Sequence, residues 1–236
     1  MFRNEDLDPQ RSRPEFATAM FEDLRWFGLE WQEGPDIGGS FGPYEQSRRR
    51  EFYVSAWRAL VESGHVYACT CSRKDLAQSA QAPHDGDDEP IYPGTCRNRV
   101  HERVPESPAG LNWRFRAPDG ERIAFKDLRL GPTEYEAGRD FGDFVVWRRD
   151  DVPAYQLAVV VDDEAMQITE VVRGEDLLRS TARQILLQRA LGYRTPEYFH
   201  CPLIKDDSGQ RLAKRHDALS LRELRAKGTD PSELRR

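Results

Sequence analysis

Long apolar runs are missing from this chain. The longest uncharged one, about Leu157 to Val161, falls far short of the roughly 20 residues a membrane helix needs. The opening Met1-Phe2-Arg3-Asn4-Glu5-Asp6 also lacks the apolar core of an export signal. A cytoplasmic protein with no membrane partner is therefore expected. Excess basic charge is missing too: 35 Lys and Arg against 41 Asp and Glu leave a net charge of -6, which excludes a broadly cationic nucleic-acid coat and makes any RNA contact local. Cysteine is scarce, four in 236 residues, so a disulfide scaffold is excluded, and in a reducing compartment thiolate metal binding is the better use of them. There is no internal repeat and no long low-complexity tract. Walker or dinucleotide glycine loops are absent, because Gly38-Gly39 and Gly42 do not sit between a strand and a helix in the required pattern.

What is present is a foldable pattern: 38% hydrophobic residues, with five Trp, eight Tyr and eleven Phe for packing. Ser12-Arg13-Pro14-Glu15 predicts a capped helix start, with Phe16, Met20, Leu24 and Phe27 on one face and Gly28 as the stop. A second helix is predicted over 48–63, ended by Gly64. Short strands follow: 65–71, then 111–117 paired with 121–126 across Pro118-Asp119-Gly120, then 144–148 and 166–172. The run 154–161 is either a buried strand or a helix. Ser180 is expected to cap a helix that Gly192 ends, 199–204 to be a buried strand, and 206–217 a charged loop. Ser220-Leu221-Arg222-Glu223 reads as a capping box for a last helix closed by Gly228. Helices at both ends and a strand, helix, strand order after a strand-rich insert predict an α/β layer interrupted by a subdomain.

In a strand, alternate side chains share a face, so Cys69 and Cys71 can grip one metal and Cys96 can add a third thiolate. Three thiolates favour zinc. The fourth ligand is open between Tyr92, His84 and His101. Cys201, in an apolar run, is expected to be core. The loop Gly209-Gln210-Arg211-Leu212-Ala213-Lys214-Arg215-His216 clusters cations that suit polyphosphate, although such loops are commonly only solvated.

Leu203-Ile204 followed by Arg211-Leu212-Ala213-Lys214-Arg215-His216 resembles the Lys-Met-Ser-Lys-Ser signature of class I aminoacyl-tRNA synthetases. Residues 171–178 and 181–187, with Glu5-Asp6-Leu7-Asp8 and the Cys-x-Cys segment, look like the glutamyl branch, and together they span nearly the whole chain. The run from Tyr155 to Asp163 and the Tyr92-x-x-x-Cys96 spacing are more similar to a short group of that branch without an anticodon-binding domain. That resemblance implies activation of glutamate with ATP, Mg2+ accompanying it, and transfer to queuosine in the anticodon of tRNA(Asp). A tRNA(Glu)-charging fragment and a non-catalytic, zinc-stabilised RNA- or partner-binding remnant are the alternatives.

Residue by residue, the resemblance places Glu5 on the substrate ammonium, Tyr155 in the amino-acid pocket, Arg173 on a substrate carboxylate and Lys214 on the ATP phosphates. It makes Cys69, Cys71, Tyr92 and Cys96 the ligands of one structural zinc. It implies a Rossmann-like core, first strand missing, from residues 1–51 and 150–204, an inserted zinc-containing α+β subdomain over 52–149, and a signature loop with the start of a helical subdomain over 205–236, in a monomer. Three departures stand out, one being that the chain ends at Arg236, short of the family's usual C-terminal helices. Asn4 occupies a position where the family prefers a branched apolar residue. The family's opening strand, His-Ile-Gly-His-type turn and helix are not found ahead of Met1, so half of the nucleotide site, and most ATP-pyrophosphate exchange, is expected to be missing from the chain as written.

Overall fold

Helix α1 (Pro14–Trp26) starts on a proline, whose missing N–H is one that a helix N-terminus leaves unpaired anyway. Arg13, with extended backbone and no side-chain cap, occupies the position expected for Ser12. Ser12 instead donates its N–H to Asp8 O at 2.8 Å. The structure, a computed structural model, describes residues 1–8, 12–72, 91–99, 105–203 and 220–234. The chain divides into two units, Met1–Arg49 with Leu203–Arg236, and Arg50–Pro202.

In the first unit α1 turns its flank to Phe2 and Trp31, whose rings meet Phe21 at 5.2 and 6.1 Å. It also meets helix α5 (Leu221–Ala226), where Arg222 and Arg225 pair with Asp23 at 3.4 and 3.3 Å. These partners leave Phe16 52% exposed, so the apolar face predicted for α1 is only partly covered. The capping box at Ser220 is present: its Oγ accepts the Glu223 N–H at 3.2 Å. Asn4 bridges Glu45 in parallel, and Asp6 accepts the Ser47 N–H and hydroxyl at 2.8 and 2.7 Å, which ties the opening segment to the loop before the second unit.

The second unit is built on two sheets. Strands β1 (Val66–Cys69), β2 (Asn112–Phe115) and β5 (Phe144–Trp147) form an antiparallel sheet in that order. Strands β3 (Arg122–Asp127), β4 (Gly131–Glu136), β6 (Glu170–Gly174) and β7 (Glu197–Cys201) form the other, in the order β4-β3-β7-β6. β7 runs parallel to both neighbours, and helix α4 (Leu178–Leu191) connects β6 to β7, the crossover that a parallel pair requires. Helices α2 (Arg50–Glu62) and α3 (Tyr155–Ala165) pack with α4 around a core that includes Trp57, Trp113 and Trp147.

Several local expectations are corrected. Residues 112–115 and 122–127 do not pair with each other; β2 joins β1 and β5, while β3 turns into β4. Asp127 enforces that turn, its Oδ1 accepting the N–H groups of Arg129 and Leu130 at 3.0 and 2.9 Å, with Gly131 at φ 78°. Local pattern hides β4, because Pro132 lies within it, a residue a strand tolerates at a sheet edge. The ambiguous run is the helix α3, whose residues from Leu157 to Asp162 are all buried; a helix buried all round has no amphipathic period to separate it from a buried strand. Ser180 lies inside α4 rather than at its cap, and its Oγ accepts from Gln156 Nε2 at 3.0 Å. Cys201 is only partly buried, at the end of β7. The expected loop 206–217 lies outside the described residues.

Candidate metal centre and amino-acid site

β1 ends at Cys69, two residues earlier than predicted, and Cys71 follows just beyond it. The thiols nevertheless converge. The Sγ atoms of Cys69, Cys71 and Cys96 all lie within 4.8 Å of one another, with Cys71 and Cys96 3.6 Å apart. The Tyr92 hydroxyl is 3.5 Å from the sulfurs of both Cys69 and Cys71 and accepts the Cys96 N–H at 2.9 Å. Tetrahedral bonds of about 2.3 Å to sulfur and 2.0 Å to oxygen imply S–S edges of about 3.8 Å and S–O edges of about 3.5 Å. This donor set therefore fits a four-coordinate metal. His84 and His101 lie outside the described residues.

Electrostatics favour at least one thiolate here. Burial works against ionisation of Cys96, but Tyr92, the backbone and hydroxyl of Thr70, and Cys71 outweigh it and hold the thiol at about 6. Burial pushes the Cys71 thiol up, and burial with the three neighbouring sulfurs pushes the Tyr92 phenol up. A buried carboxylate missed by the sequence reading, Asp143, braces the cluster. It accepts from Tyr67 OH at 2.5 Å and from the Ala117 N–H at 2.9 Å, and it pairs with Arg97, the residue after Cys96. Arg114 donates to the Asp143 backbone O at 3.0 Å and lies over the Tyr92 ring. Nothing in the spacing marks Asp143, because its partners come from three separate stretches of chain.

At the end of β6, Arg173 donates through Nε to His200 Nε2 at 3.2 Å and through Nη2 to Thr181 Oγ1 at 2.7 Å, and it stands 5.4 Å from the centre of the Tyr198 ring. None of these partners is an anion, so the guanidinium keeps its charge available. Burial raises Tyr198 to about 12, against Gln188 and Arg173, while Asp163 and Tyr155 push it further up. Tyr155 is the first residue of α3 and 38% exposed. Glu5 belongs to the first unit, receives a hydrogen bond from Arg3 at 3.2 Å and lines a cleft of about 790 Å³ with Asn4, Asp6, Arg13 and Arg48. Lys214 lies outside the described residues.

The family model for tRNA synthetases class I (E and Q), catalytic domain, matches residues 1–236, and the chain belongs to that family. A glutamate-tRNA synthetase crystal structure from Elizabethkingia anophelis superposes with a TM-score of 0.75 at 28% identity, covering 90% of this chain and 45% of that one. The fold is therefore the class I synthetase fold, with mixed α/β sheets. Among relatives, the chain is 51% identical over 241 residues to a protein of Symbiobacterium thermophilum named glutamyl-Q tRNA(Asp) synthetase. It is 49% identical over 237 residues to one of the same name from Nitratidesulfovibrio vulgaris. Each alignment takes in 99% of this chain and 73% of the relative. Among the described residues no helix is long and apolar enough to cross a membrane.

Proposed function

We infer that this chain activates glutamate with ATP, Mg2+ accompanying the nucleotide, and transfers it to queuosine in the anticodon of tRNA(Asp). The observation that carries the reading is Arg173: a half-buried guanidinium whose hydrogen-bond partners, His200 and Thr181, are uncharged. A planar fork held this way suits a carboxylate, which it grips with two hydrogen bonds. The names of the two relatives support the choice of glutamate and of queuosine-bearing tRNA(Asp).

In this reading Arg173 binds a substrate carboxylate, Tyr155 lines the amino-acid pocket, Glu5 meets the ammonium and Lys214 stabilises charge on the ATP phosphates. Rate acceleration then comes from alignment and charge stabilisation, with no side chain acting as nucleophile. Residues 1–51 and 150–204 supply the Rossmann-like core, which β3 and β4 extend through their sheet with β6 and β7; 52–149 supply the insert and 205–236 the signature loop and start of a helical subdomain. Cys69, Cys71, Cys96 and Tyr92 hold one zinc, which serves as a structural cross-link. Transfer of labelled glutamate to purified tRNAs tests the function: esterification of tRNA(Asp) that depends on queuosine supports it, and preference for tRNA(Glu) rejects it.

A further inference from the structure

Asp127 and His200 are both completely buried, yet nothing in the reading above uses them. Asp127 closes β3, and the turn amides of Arg129 and Leu130 occupy its Oδ1. Its Oδ2 faces His200, accepting the backbone N–H at 3.2 Å and standing 2.7 Å from Nδ1. An ionised carboxylate only accepts, so the proton sits on Nδ1. Burial would raise Asp127, but His200 and the two amides hold it below the ordinary carboxylate range. Burial keeps His200 neutral, Asp127 opposing and Arg173 assisting. A neutral ring protonated at Nδ1 has a bare Nε2, and both nearby donors point there: Arg173 Nε at 3.2 Å and the Thr181 hydroxyl at 3.1 Å.

The imidazole thus presents the carboxylate's influence to Arg173 as a neutral acceptor. The difference matters, because a carboxylate placed directly on Arg173 would neutralise it and compete with a carboxylate ligand. His200 and Thr181 take the Nε and Nη2 edge, and among the described residues Nη1 donates no hydrogen bond. We propose that Asp127 and His200 are positioning residues for Arg173: Asp127 selects the Nδ1-protonated tautomer of His200, and His200 with Thr181 fixes the guanidinium so that its Nη1 edge meets the substrate carboxylate in one orientation. The proposal rests on Arg173 being the carboxylate-binding residue. Its physical content is preorganisation, since an arginine already held in place loses less conformational freedom on binding.

Asp127→Asn separates this role from a merely structural one. The amide oxygen can still accept the turn amides, while its NH2 gives up the His200 backbone N–H that Oδ2 accepts but donates to Nδ1 and moves the imidazole proton to Nε2, donor against donor with Arg173 Nε–H. The test is ¹⁵N NMR of the full chain, reading the His200 ring nitrogens and the exchange of Arg173 Nε–H, together with calorimetric titration of L-glutamate. The parent should show the Nδ1–H tautomer and a slowly exchanging Nε–H. Asp127→Asn should invert the tautomer, speed that exchange and weaken glutamate binding by about tenfold or more, in the range of outer-shell partners elsewhere. His200→Gln, whose side-chain oxygen reaches the Nε2 position, should recover slow exchange in part, and His200→Leu should not. An Nε2–H tautomer in the parent, or unchanged Arg173 Nε–H exchange in both Asp127→Asn and His200→Leu, overturns the proposal. Full glutamate affinity in Arg173→Ala instead overturns the assignment of Arg173, and the NMR result then decides the positioning role by itself.

Discussion

Arg114 lies across the face of Tyr92, its guanidinium carbon 4.0 Å from the ring centroid, while its Nη1 donates to the Asp143 backbone O at 3.0 Å. The phenol that reaches two of the sulfurs is thereby clamped by a side chain 4% exposed. Stacking of a cation on an aromatic ring fixes its plane as well as adding attraction. Outer-shell groups of this kind commonly change metal affinity by about 10- to 100-fold. Arg114→Leu should therefore weaken zinc retention by roughly tenfold or more, read by competition with a chromogenic chelator. Retention equal to the parent would show that the clamp does not govern the site.

Removing the metal donors tests the centre directly. Purified protein should contain one zinc per chain, and Cys96→Ser should lose it along with a measurable part of its thermal stability, because a structural metal contributes its binding free energy to folding. Chelator treatment of the parent should lower the melting temperature and leave that of Cys96→Ser unchanged. Stoichiometric zinc in Tyr92→Phe would remove only the tyrosine from the ligand set.

Asp143 joins Tyr67, Arg97 and the Ala117 amide, and it is 5% exposed. Asp143→Ala leaves those donors facing a void, and breaking a buried ionic cluster by removing one partner costs about 3–5 kcal/mol. Because the Arg97 side chain is 25% exposed, water recovers part of that loss, so the lower end of the range is expected. A denaturant midpoint within error of the parent would contradict this account.

Acidification should weaken the fold through His200. Its folded value is held below the ordinary 6.5 by burial, so the unfolded chain binds the proton more readily. The corresponding stability is fully present above 6.5 and is lost as pH falls through the folded value. Asp127, lowered from its ordinary 3.8, acts in the same direction further down the scale, its contribution present above 3.8 and lost as pH falls through its folded value. The melting temperature should drop between about pH 7.5 and about pH 5.5, and by less in His200→Gln. An equal drop in both proteins would place the acid sensitivity elsewhere.

Much of this was legible from local pattern. Gly28, Gly64 and Gly192 stop helices as read, each with φ between 71 and 92°, the left-handed region glycine enters without steric cost. The Ser220 cap and the helix after it needed only their own four residues, and the resemblance to class I synthetases rested on motifs readable in order along the chain. Cys69, Cys71 and Cys96 were legible as a set because thiols are rare here and their spacing is short.

What local pattern could not supply was pairing. Proximity in sequence suggested that 111–117 meets 121–126, but a strand's partner is chosen by whichever edges bury apolar surface together. Here β2 went to β1 and β5, while β3 went to β4 and to β7, some 70 residues away. The same long-range pairing brings Asp127 from the end of β3 against His200 in β7 and so onto Arg173 in β6. Asp143 likewise gained its role only when β5 was set beside β2 and its carboxylate met Tyr67 and Arg97. Residue type and short spacing determined which groups were capable of chemistry in this protein. Which buried charge meets which side chain was decided by tertiary structure alone, because a carboxylate stripped of water must be satisfied by whatever donors the fold delivers, and those donors carry no mark of one another along the chain.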